Sequence, residues 1–314
     1  ESQWIGADAA FAIIQKLEKF NGCILADSVG LGKTYTALAV IKYYESRNQR
    51  VLVLCPKKLS KNWTFWKNNY ETNTLASDRL NYDVFYHSDL SRRKGFSNGI
   101  DLALVKWGNY DLVVIDESHN FRNGYSTTAD FENRYERLMN AIIRDGVRTK
   151  VLMLSATPVN NRFSDLRNQL QLACEGNITE MSERLGLKRG IDEIFRQSQK
   201  AYNEWTKLPT EERTAKALQA SLPYDFFEVL DAVTIARSRR QIERYYDTAD
   251  IGDFPTRLPP VSRRPPLTKE PGAPTYKEIF GLIRELNLAV YTPSAFILPS
   301  CVGRYAAMGG VQGL

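Results

Sequence analysis

Gly30, Gly32, Lys33 and Thr34 close the stretch "ADSVGLGKT", which follows the short apolar run Cys23 to Ala26 and precedes a helical pattern. Backbone N–H groups at a helix N-terminus bind phosphate oxygens, and small residues let the anion approach them closely. In such a loop the lysine ammonium faces the β- and γ-phosphates, and the threonine hydroxyl is a ligand for Mg²⁺. The nucleotide-contacting candidates are therefore Val29, Gly30, Leu31, Gly32, Lys33, Thr34 and Tyr35. The strict GxxxxGK[ST] pattern requires glycine where Asp27 stands, so the match rests on Gly32, Lys33 and Thr34, with Gly30 as a partial substitute. Gly-Lys-Thr alone would also suit a glycine turn ahead of an ordinary helix; the preceding strand and following helix favour the phosphate loop.

A second set of chemical residues ends another apolar run, "DLVVIDESHNF". Ligands of open parallel sheets collect at the carboxyl ends of the strands, which would bring Asp116 and Glu117 beside the phosphates. Asp116 is the candidate Mg²⁺ ligand, and Glu117 the group that orients or deprotonates an attacking water. A phosphotransferase needs no such water-directed glutamate. His119 is assigned to coupling rather than chemistry, with Ser155 and Thr157 of "LMLSATPVNN" beside it; His87 offers no second metal ligand.

These residues need a sheet to hold them. Beyond the strand before the loop, the strand candidates are "RVLVLCP", "YDVFYH", "YDLVVIDE" and "KVLMLSA", separated by helical patterns, and three of them are continuous apolar runs suited to burial on both faces. An amphipathic helix is expected from about Ala7 to Phe20. The expected fold is α/β, a parallel sheet flanked by helices over residues 1–174. Strand signals then stop: residues 175–250 read as a helical extension, and 251–314 as a proline-rich linker leading into a last helical segment. Trp63 and Trp66, three apart, are expected to pack one helix face rather than stack on bases.

The 314 residues carry a net charge of +6, with 43% hydrophobic and 25% charged residues, as in a soluble globular protein with a modest leaning toward polyanions. The four cysteines are too scattered for a zinc knuckle or a redox pair, and reduced thiols in a cytoplasmic setting are expected. No apolar run reaches the roughly 18 to 20 residues of a membrane span.

Taken together and in order, "ADSVGLGKT", "VLCPKKLSKNW", "VVIDESHNFRN" and "LSATPVNN" resemble motifs I, Ia, II and III of helicase superfamily 2, within it the Swi/Snf-like double-stranded-DNA translocases, especially bacterial members. Aspartate at position 27 is normal in that family. The resemblance implies a RecA-like P-loop lobe, ATP and Mg²⁺ as cofactors, and duplex DNA as partner. It places Gln3 where the family carries an adenine-reading glutamine, and "ARSRRQIERYY" where it carries an arginine-rich helix. Phosphate contacts are expected from Lys57, Lys58, Ser60 and Lys61, from Arg122 and Asn123, and from Asn160, Asn161 and Arg162, all leaving strand ends. Arg237, Arg239, Arg240 and Arg244 would meet DNA or a second lobe. No QxxGRxxR-like segment follows Pro274, so the second RecA-like lobe of the parent protein is expected as a partner outside this chain, and turnover here is expected to be weak. By analogy alone, a bacterial translocase implies fused nuclease or defence-system partners. The leading expectation is an ATP-driven motor on duplex DNA; the alternative is an ATP-gated binding switch that never translocates.

Overall fold

Residues of the apolar runs alternate between two buried faces, as a sheet covered on both sides requires. A computed structural model describes residues 2–68, 70–122, 124–125, 132–157, 162–245, 261 and 274–285, without the side chains of 2–6, 245, 277 and 283–285. Its strands are β1 Gly22–Leu25, β2 Val51–Cys55, β3 Asp83–Tyr86, β4 Phe96–Ser97, β5 Ile100–Asp101, β6 Leu112–Asp116, β7 Lys150–Leu154 and β8 Thr234–Ile235. Six of them form one parallel sheet in the order β3-β2-β6-β7-β1-β8, while β4 and β5 make a small antiparallel hairpin.

The helices are α1 Ser2–Phe20, α2 Lys33–Glu45, α3 Ser60–Thr64, α4 Arg134–Arg137, α5 Phe163–Ala173, α6 Ile178–Arg184, α7 Ile191–Trp205, α8 Ala215–Ser221, α9 Tyr224–Val233, α10 Arg239–Tyr245 and α11 Tyr276–Glu285. On one face of the sheet, Val51, Val53, Cys55, Val114 and Leu152 pack with Ile13 and Leu17 of α1, Leu38 and Ile41 of α2, and Trp63 of α3. On the other, Leu52, Leu54, Val113, Ile115 and Met153 meet Leu166 and Leu170 of α5, Ile194 of α7 and Val229 of α9. The expected helix at 7–20 begins earlier, at Ser2.

The sixth strand departs from the sequence reading, in which strand signals end near Cys174. Thr234 and Ile235 extend the sheet by pairing with Ile24 and Leu25. Helices α5, α6, α7 and α9 share the core of the sheet rather than standing apart from it. The chain divides into two compact units, Glu1–Phe254 and Pro255–Leu314. In the second, α11 is capped by Thr275, whose hydroxyl accepts from Glu278 N at 3.3 Å while the Glu278 carboxylate accepts from Thr275 N at 2.6 Å.

Burial sets the state of several titratable groups. Cys23, Cys55 and Cys174 have their thiols pushed up to about 12 by burial, which makes them inert packing residues; Cys301 lies outside the described residues. His87, only 4% exposed, packs edge-on against Phe121 and places Nε2 3.3 Å from Leu54 O. Burial lowers its pKa from 6.5 to about 4, with Arg134 and His119 adding to the fall and bonds to the Leu54 and Asp116 backbones opposing it. Between those two values the unfolded chain binds a proton that the folded one does not, so stability is lost as pH drops from 6.5 through about 4. The loss should reach up to roughly 3 kcal/mol. His87→Asn should remove this part of the pH dependence, measured as the difference in unfolding free energy between parent and variant across that range.

Candidate functional site

Strand register assembles the site. Leu25 of β1 pairs with Leu154 of β7, and Leu154 pairs with Asp116 of β6, so the loop after β1 and the acidic pair after β6 leave the same edge of the sheet. Two strand spacings of about 4.8 Å separate their starting points, within reach of one triphosphate.

The loop has the form an anion requires. Gly30 and Gly32 take left-handed backbone conformations, with φ of 85° and 75°, which a residue with a Cβ adopts only at a cost. Helix α2 then starts at Lys33 with no side-chain cap on its N-terminus. Its first N–H groups and the positive end of its dipole face outward. The Lys33 ammonium donates to Asp27 O at 2.9 Å and Ser28 O at 3.4 Å, folded over its own loop. Thr34 is half-buried, while Val29 and Tyr35 are exposed.

Asp116 sits half-buried at the end of β6, where burial, with the neighbouring Glu117 charge adding to it, raises its pKa. Two donors, the Trp63 indole and the Glu117 backbone N–H, and the positive charge of Lys33 pull the other way. Trp63 Nε1 donates to Asp116 Oδ2 at 2.9 Å, and Glu117 N to Oδ1 at 3.0 Å. Glu117 itself adopts φ 51° and ψ 51°, a left-handed conformation rare for a residue with a long side chain. Its side chain is 39% exposed, and Oε2 lies 3.2 Å from His119 Nδ1.

His119 Nδ1 is also 3.4 Å from Ser155 Oγ, which accepts from Thr157 N at 3.2 Å. Ser155 N in turn donates to Leu25 O at the foot of the phosphate loop. Glu117, His119, Ser155 and Thr157 are thus in one hydrogen-bonding chain. These residues fit a Mg²⁺–nucleotide: the uncapped helix end and Lys33 suit phosphate, while a threonine hydroxyl and one carboxylate suit Mg²⁺, which takes few protein ligands and completes its shell with phosphate and water. Among the described residues no group of three His, Cys, Asp or Glu side chains forms a metal cage.

Of the expected phosphate contacts, Lys57, Lys58 and Lys61 are exposed just past β2. The Ser60 hydroxyl donates to Lys57 O at 2.9 Å, so its proton is spent on its own turn. Arg122 is half-buried, with its carbonyl accepting from Asn168, and Arg162 is exposed ahead of α5. Asn123, Asn160 and Asn161 lie outside the described residues, as does the Gln3 side chain, whose backbone is in α1.

Three connections escaped the sequence reading. Trp63 is fully buried, as its spacing with Trp66 suggests, but it also holds Asp116 through its indole N–H. Trp66 meets Tyr35 edge-on at 5.1 Å, against stacking on bases. Asp27, the misfit to the strict glycine pattern, is fully buried and bonded to Arg237: Oδ1 accepts from Arg237 N at 2.8 Å, and both carboxylate oxygens accept from the guanidinium. Arg239 Nη2 donates to Val29 O at 3.3 Å, so the arginine-rich segment holds the phosphate loop directly. The only signals were a carboxylate in place of glycine and an arginine cluster far downstream.

Residues 9–98 match the SNF2-related domain family. The chain is 31% identical over 175 residues to the uncharacterized ATP-dependent helicase YqhH of Bacillus subtilis, covering 53% of this chain and 29% of that protein. It is 29% identical over 161 residues to nucleoside triphosphatase I of Amsacta moorei entomopoxvirus, covering 50% of this chain and 24% of that protein. The matched segment is therefore less than a third of either relative. Among solved structures, the SWI2/SNF2 ATPase core of Sulfolobus solfataricus in complex with dsDNA covers 79% of this chain and 45% of its own, with a TM-score of 0.46 and 20% identity.

Proposed function

We propose that this chain is the nucleotide-binding lobe of a Swi/Snf-like, superfamily 2 ATP-driven motor on duplex DNA, a reading supported by the match of residues 9–98 to the SNF2-related domain family and by the likeness to an ATP-dependent helicase. The observation that carries this reading is the register Leu25, Leu154, Asp116, which sets the phosphate loop and the acidic pair at one sheet edge.

Bound Mg²⁺–ATP supplies the phosphoanhydride to be cleaved and the cation that neutralises its charge. The N–H groups opening α2 and the Lys33 ammonium hold the phosphates, and Lys33 exchanges its bonds to Asp27 O and Ser28 O for phosphate oxygens. Thr34 and Asp116 would hold the cation. Glu117, partly open to solvent, orients water and accepts its proton. His119 joins Glu117 to Ser155, so a shift of the "SAT" segment changes the aim of the water-directing carboxylate. Lys57, Lys58, Lys61, Arg122 and Arg162 take DNA phosphates, which position the duplex without reading its sequence. Asn123, Asn160 and Asn161 belong to the same assignment, while Gln3 is assigned to the adenine of the nucleotide.

A second RecA-like lobe of the parent protein closes on this edge and brings an arginine finger. Such a finger is worth about 10³ to 10⁵ in rate, so the chain by itself binds nucleotide but turns it over slowly. No described helix is long and apolar enough to cross a membrane. The test is ATP hydrolysis by the intact protein with and without duplex DNA, joined to displacement of a third strand from a triplex. Stimulation with displacement is the expected result. Stimulation without displacement identifies an ATP-gated switch, and no response to DNA removes the motor reading.

A further inference from the structure

We infer that the basic hairpin following β3 is an additional grip on the phosphodiester backbone of duplex DNA, an inference that rests on the motor reading and enlarges its contact surface. Strands β2 and β3 are parallel with Cys55 opposite Tyr86, so the segment after β3 leaves the sheet at the same edge as Lys57. Lys57 Nζ lies 5.9 Å from the centre of the Tyr86 ring. The Tyr86 hydroxyl donates to Asn98 Oδ1 at 2.7 Å, and Asn98 Nδ2 donates to Val84 O at 2.7 Å. The hairpin is therefore fastened beside the lysines already proposed to meet DNA.

A hairpin of two-residue strands is marginal by itself in water. This one has an internal anchor. Asn98 and Gly99 take φ of 47° and 80°, the left-handed pair that closes a tight two-residue turn. At its base the Asp89 carboxylate is fully buried and accepts from Tyr86 N at 2.8 Å, from the Ser97 hydroxyl and from the Arg92 guanidinium. So much buried polar bonding holds the hairpin in one position, and what it presents is cationic and aromatic. The Arg93 side chain is 80% exposed, with only a 3.8 Å approach to Glu132; Lys94 is exposed, and Phe96 is 72% exposed.

The neighbouring acids are shared with other groups. Glu132 also lies 3.7 Å from Arg137, and Asp101 Oδ1 accepts from Ala103 N at 3.0 Å. Two outward cations suit phosphates, and a protruding phenyl ring beside them suits a groove wall or a base step. Arg92 is spent on Asp89 and is not part of the contact.

The experiment is duplex binding by the intact protein, followed by fluorescence anisotropy from about 50 to 200 mM salt. Arg93→Ala with Lys94→Ala should reduce the slope of log affinity against log salt by about 2, because each lost phosphate contact removes roughly 0.9. Phe96→Ala should weaken binding several-fold with the slope unchanged. ATP hydrolysis without DNA and the melting midpoint should stay at parental values in both. Arg196→Ala with Lys200→Ala on α7 removes the same charge outside the contact tract and should keep the parental slope. A parental slope in the Arg93/Lys94 variant, or an equal fall in the α7 control, overturns the inference while leaving the motor reading standing. Absence of duplex binding by the parent overturns both.

Discussion

Glu117→Gln in the intact protein should lower ATP turnover by about 10²- to 10⁴-fold while nucleotide affinity stays within a few-fold of the parent. The amide keeps the size of the side chain and the backbone N–H that donates to Asp116, but it has no oxygen basic enough to take a proton from water. Glu117 stands in a left-handed conformation of the kind that costs about 1 to 3 kcal/mol and survives where the surroundings enforce it. Here that conformation comes with a half-open carboxylate beside His119. Lys33→Ala should fail at the earlier step, losing nucleotide binding itself, because its ammonium is the cation over the loop. Fluorescent-nucleotide titration with single-turnover hydrolysis separates the two. Unchanged turnover in Glu117→Gln would take the water-directing role away from this residue.

Asp27→Ala should destabilise the first unit by about 3 to 5 kcal/mol, the usual result of leaving one partner of a buried ion pair alone. Asp27 has no exposed surface, and the Arg237 side chain is only 12% exposed, so solvent cannot take over the lost bonds. For a unit of this size the melting midpoint should fall by roughly 10 °C or more. Replacing both partners, with Asp27→Leu and Arg237→Met, should recover part of the loss, since no charge is then stranded in the interior. Nucleotide affinity should fall with Asp27→Ala, because Ser28 N donates to Arg237 O and the loop is held on both sides of Asp27. A melting midpoint equal to the parent's would show that the pair contributes nothing to holding the loop.

Burial is what a linear pattern encodes well, and the parts of this molecule governed by burial were legible in its sequence. The runs at β2, β6 and β7 are continuously apolar because residues such as Leu52 and Val53 face opposite sides of a sheet covered on both. The same physics placed Asp116 where β6 reaches its carboxyl end, and the spacing of Trp63 and Trp66 announced two packed rings, although Trp66 sits in the 3-10 turn after α3 rather than on its face. Gly30, Gly32 and Lys33 were legible for a different reason: a tight turn into a helix N-terminus is a local geometry that local residue types specify.

Partnerships across the chain belong to the tertiary structure. Nothing near Thr234 and Ile235 signals a strand, because two residues become one only by pairing with Ile24 and Leu25. Trp63 was readable as core, but the direction of its indole N–H toward Asp116 depends on α3 packing across the end of β6. Asp27 stood out as an exception to a glycine pattern, yet its partner is Arg237, brought alongside by β8. Hydrogen bonds between residues far apart in sequence follow from strand order and register, and neither has a local signature. The candidate site residues were therefore named by short motifs, while the means of holding them in place came from the assembled sheet.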